Sequence, residues 1–84
     1  MNCDVVNVKA IAPLVIQVQF KDGTVGKVQF KPSHLTGVFE SLKDPEIFNQ
    51  VHIEDGAVVW PGNLDLSLDS MYQEIKNKGE WILH

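Results

Sequence analysis

Leu14, Ile16, Val18 and Phe20 alternate with Val15, Gln17 and Gln19, and a second run from Thr24 to Phe30 follows after Lys21-Asp22-Gly23. A period of two is the signature of a strand that buries one face. The connection constrains the chain further, because a slip of one residue moves every side chain to the other face. A two-residue Asp22-Gly23 loop would set Phe20 opposite Val25, Val18 opposite Lys27 and Ile16 opposite Gln29, mixing core with polar positions. A three-residue Lys21-Asp22-Gly23 loop, with glycine left-handed, sets Val18 opposite Gly26, Ile16 opposite Val28 and Leu14 opposite Phe30. Only the second gives a continuous apolar face, so a three-residue turn is expected.

The remaining elements are placed around this hairpin. Val5, Val6, Val8 and Ile11 form a β-branched opening that stops at Pro13, read as the first strand. Pro32-Ser33-His34-Leu35 and Gly37 to Leu42 read as short helical segments, the second with Val38, Phe39 and Leu42 as apolar positions. Asp44-Pro45-Glu46 has the form of a helix start, with Asp44 as cap and proline at the first helical position. Val51–Glu54 and Ala57–Trp60 make a second hairpin across Glu54-Asp55-Gly56, ended by Pro61. Ser67 caps a final helix to Lys78, in which Leu68, Met71, Tyr72 and Ile75 form one apolar stripe, and Gly79 closes it. The expected fold is a single α+β domain over residues 1–84. It holds a small, mainly antiparallel sheet in the order β-β-β, short helices, β-β, α, with the C-terminal helix on one face. Glu80-Trp81-Ile82-Leu83-His84 is left as an apolar tail that must fold back, dimerise or meet a partner.

Charge and composition limit function. The chain has 84 residues and a net charge of −4, with no arginine. Lysines outnumber carboxylates in residues 1–39, whereas residues 40–84 carry nine carboxylates against three lysines. Phosphate-rich partners are held by Lys and Arg clusters, so direct nucleic-acid binding is not expected, and a basic protein surface is the better electrostatic match. No apolar run is long enough to span a membrane, and one cysteine forms no internal disulfide, so a cytoplasmic setting is expected. Cys3, His34, His52 and His84 have no close metal-ligand spacing, and no metal or cofactor is expected. Ser33 and His34 are neighbours in sequence, which does not make their side chains converge into a nucleophile and base.

The Phe20-x-Asp22-Gly23 turn, the Trp60-Pro61-Gly62-Asn63 segment followed by Asp65, and the Met71-Tyr72 pair together resemble a small bacterial family known as domain of unknown function 2442. The resemblance covers most of the chain. It departs where Gly62-Asn63 replaces Asn-Gly and where Leu68 replaces a proline common before the last helix. It implies a small α+β domain, encoded in arrangements that look like toxin–antitoxin pairs, and supplies no catalytic residues.

The functional expectation is therefore a non-enzymatic protein-binding module, antitoxin-like or an inhibitor of a partner protein. A phage anti-CRISPR protein using acidic surface is one form of it. Trp60, Tyr72 and Trp81 are candidate apolar anchors, and Asp65, Asp69, Glu74 and Glu80 a candidate acidic rim. A homodimeric accessory domain is the alternative, and a small-molecule or catalytic site near Trp60–Asp65 the second alternative.

Overall fold

The computed structural model describes residues 4–62 and 64–83. Cys3, Asn63 and His84 lie outside the described residues, as does the side chain of Val38. Strands β1 (Val5–Ala12), β2 (Val15–Phe20) and β3 (Val25–Phe30) are followed by two 3-10 segments, Pro32–His34 and Gly37–Lys43. Helix α1 (Pro45–Phe48), strands β4 (His52–Glu54), β5 (Ala57–Trp60) and β6 (Leu64–Asp65), helix α2 (Leu68–Lys78) and strand β7 (Glu80–Leu83) complete the chain. The class is α+β and mainly antiparallel, as the sequence indicates.

Two features differ from expectation. The strands form two sheets, β1-β2-β3-β7 and β4-β5-β6, where one was expected. The C-terminal tail is strand β7, parallel to β3, with Trp81 opposite Val28 and Leu83 opposite Phe30. Folding back is thus the outcome for the tail. Gly79 makes it possible, because its left-handed conformation (φ 80°) ends α2 and turns the chain sharply onto the sheet.

The β2–β3 register is the one that the continuous apolar face requires. Ile16 faces Val28 and Val18 faces Gly26, and the Phe20 amide donates to the Thr24 carbonyl at 2.8 Å. Strand β2 begins one residue later than the alternation implies, at Val15, with Ala12 opposite Val15 across Pro13-Leu14. Pro13 fixes the first turn position, and Leu14 takes a positive φ of 60° at the second, a place normally given to glycine. Strand β1 carries a bulge at Val6 and another at Ile11, where two residues advance against one on β2. Both extra side chains point outward, 53% and 40% exposed.

The core lies between the four-stranded sheet and the elements packed on its inner face. Phe30 from β3, Phe48 from α1 and Trp60 from β5 meet at 5.7–6.0 Å between ring centroids, so one aromatic cluster ties both sheets to the short helix. The sheets also join directly, the Val5 amide donating to the Gly56 carbonyl at 2.8 Å. Helix α2 packs on β3 through Ile75, which rests against the bare backbone of Gly26.

Candidate functional site

The sequence-derived candidates separate into three places. Trp60 is corrected: it is 2% exposed, in the aromatic cluster, and its indole N–H donates to the Phe48 carbonyl at 3.0 Å. Alternation along β5 turns Val58 and Trp60 inward together, so the indole braces the interior and presents no surface to a partner.

Tyr72 is half-buried at a small polar cluster that joins α2 to the first hairpin. Its ring meets Phe20 edge-on at 5.0 Å, and its hydroxyl donates to the Asp22 carboxylate. The Thr24 amide donates to the same carboxylate at 2.9 Å, and the Lys76 ammonium lies 3.7 Å away. The Tyr72 hydroxyl, then Thr24 and more weakly Lys76, hold the Asp22 carboxyl well below its usual range. In return, the carboxylate pushes the Tyr72 hydroxyl up. Fifty residues separate Asp22 from Tyr72, and no local pattern marks them as partners.

The proposed acidic rim is divided. Asp69 is exposed in the first turn of α2, whose Ser67 cap accepts from the Ser70 amide at 3.5 Å. Glu74, Glu80 and Trp81 do come together, with Lys78 and Ile82, around a shallow recess of about 170 Å³. Glu74 pairs with Lys78 at 3.4 Å, and Trp81 is half-buried against the core. Asp65 lies elsewhere, on β6 opposite Val59, where it shares an open recess of about 700 Å³ with His52 and Glu54. The His52 ring nitrogens lie 3.0 Å from the Gln50 carbonyl and 2.9 Å from the Glu54 carboxylate. Both neighbours are acceptors, so the imidazolium suits them best, and the Gln50 carbonyl followed by Glu54 raises the His52 pKa above 6.5. Among the described residues, no group of three or more His, Cys, Asp or Glu is arranged to hold a metal ion.

Two further surfaces have no local signature in the sequence. The first is the outer edge of β7. The Lys27 and Lys31 amides donate to the Gly79 and Leu83 carbonyls, at 3.4 and 2.8 Å. In a parallel ladder, that parity assigns the backbone of Trp81 and Leu83 to β3 and turns the amides and carbonyls of Glu80 and Ile82 outward. The second is an apolar groove of about 600 Å³ between the β1–β2 turn and α1.

The architecture defines a small α+β domain with a helix-covered, four-stranded sheet. The chain belongs to the family described as a protein of unknown function (DUF2442), whose model matches residues 5–77. No curated protein and no solved structure matches the chain. No helix among the described residues is long and apolar enough to cross a membrane.

Proposed function

We propose that this chain is a non-enzymatic protein-binding module that receives an extended strand of its partner along the outer edge of β7. The open backbone of Glu80 and Ile82 carries this reading. An edge strand with unpaired amides and carbonyls is a template for strand addition. The opposite edge of the same sheet is guarded, since β1 carries two bulges and Lys9, and β4 packs beside it. Trp81-Ile82-Leu83 has neither proline nor lysine. Trp81 supplies an anchor beside the edge, and the net charge of −4 favours a basic partner over an acidic one. A module of this kind acts by occupying its partner, as the antitoxin-like member of a pair or as an inhibitor that holds a basic surface.

A second copy is the alternative occupant. Lys27 and Lys78 balance Glu74 and Glu80 around the edge, so two identical edges meet without net local repulsion despite the overall charge of −4.

The Ile82→Pro variant tests both readings. It removes an amide that points away from β3, a position where an edge strand tolerates proline. Affinity capture from the native host with the wild-type chain is expected to retain a partner that the variant loses. Equal retention by both would refute the reading. Light scattering decides the alternative: a wild-type dimer that Ile82→Pro renders monomeric identifies a second copy as the occupant.

A further inference from the structure

We propose that the groove between the β1–β2 turn and α1 binds a small amphiphile with an apolar body and an anionic head, a medium-chain monocarboxylate being the simplest. This does not depend on the β7 reading. The volume of about 600 Å³ falls within the range of small-molecule sites. Its floor is core, formed by Leu35, Leu42 and Phe48, all 2% exposed or less. Its near wall is built from the two irregular positions of the first hairpin. The bulge at Ile11 leaves an isoleucine 40% exposed over the groove, and Leu14 keeps a branched apolar side chain where glycine would relax the turn.

Three of the four prolines in the chain line the same groove: Pro13, Pro32 and Pro45. Each fixes its own φ and lacks an amide proton. The rim is therefore stiff before any ligand arrives, which lowers the ordering cost of binding, and these three residues offer a ligand no backbone donor. That favours an apolar body.

The head group follows from charge. Lys43 and Asn49 are the polar side chains of the lining, and no carboxylate lines it, in a chain of net charge −4. Lys43 makes no ion pair among the described residues. An exposed lysine in the lining of an apolar groove favours an anionic head over a neutral or cationic one.

The test is titration of the isotopically labelled chain with decanoate and with decanol below their aggregation concentrations, followed by amide chemical shifts. Saturable shifts at Ile11, Leu14 and Phe48 are expected with both ligands, decanoate binding more tightly. Lys43→Ala is expected to weaken decanoate by about two- to fivefold, the scale of an exposed ion pair, and to leave decanol unchanged. Ile11→Asp, at an exposed bulge, is expected to abolish both, with an unchanged far-ultraviolet circular dichroism spectrum reporting the fold. The proposal is overturned by shifts that never saturate or gather elsewhere, or by a Lys43→Ala variant that changes both ligands equally or neither. It is also overturned if the groove resonances move with protein concentration alone, which would make a second copy the occupant.

Discussion

Gly26→Ala probes the closest approach between helix and sheet. A Cβ at position 26 would lie 2.8 Å from the Gly79 carbonyl oxygen and would overlap the Ile75 side chain. The Ile75 methyl groups have some freedom, but the Gly79 carbonyl is backbone, held in the turn that launches β7. Relieving the overlap thus requires α2 and β7 to shift together. Overpacking of this kind costs about 1–3 kcal/mol, partly offset by about 0.4–1 kcal/mol because alanine reduces the freedom of the unfolded chain. A net loss of about 1–2 kcal/mol is expected, a fall in Tm of about 5–15 °C for a domain this small. Urea and thermal unfolding followed by circular dichroism measure it. Ile75→Ala removes one of the two obstacles, so the double variant is expected to be more stable than the sum of the singles predicts, by about 0.5 kcal/mol or more. A Gly26→Ala protein as stable as the parent, or strictly additive with Ile75→Ala, would refute the helix–sheet contact.

Other perturbations address the remaining ties. Trp60→Phe removes the indole donor from the Phe48 carbonyl, which retains the longer bond from the Val51 amide at 3.3 Å; a loss of about 1–2 kcal/mol is expected in urea unfolding. Asp22 has a folded pKa below its unfolded one, so its contribution is present above the ordinary carboxylate range and is lost as pH falls toward the folded value. The stability gap between wild type and Tyr72→Phe should accordingly narrow from about pH 5 downward, and a gap constant down to pH 2 would contradict the Tyr72–Asp22 hydrogen bond. For His52 the sign reverses: a raised folded pKa gives stabilisation that is complete below 6.5 and lost as pH rises through the folded value. Its imidazole should titrate by NMR with a midpoint above 6.5 that falls in Glu54→Gln.

Local chemistry and alternation made much of the fold legible. The Lys21-Asp22-Gly23 turn could be chosen because the rival register broke the apolar face. Asp44 does cap α1, accepting from the Glu46 amide at 3.0 Å, and Ser67 and Gly79 bound α2 as their types suggest. The features that escaped were long-range. Four residues of β7 carry too little pattern to name a neighbour, and parallel pairing with β3 spans about fifty positions with a helix between. The two-residue β6 is shorter than any periodicity, and with it the second sheet went unrecognised. In the sequence, Trp60 is a candidate anchor by residue type alone, because tryptophan is over-represented among interface hot spots. Its inward orientation follows from β4–β5 pairing, where Asp55-Gly56 forms a two-residue turn with both residues at positive φ. The groove combines residues from the first hairpin with others about thirty positions later, so no motif announces it.

Hydrogen exchange at four consecutive amides tests the open edge directly. In the dilute monomer, Trp81 and Leu83 should be protected by β3 while Glu80 and Ile82 exchange rapidly. Adding the captured partner, or concentrating the chain where a second copy is the occupant, should slow Glu80 and Ile82 to match. Uniform protection of all four in the dilute monomer, or rapid exchange at Glu80 and Ile82 in the complex, would contradict strand addition at β7.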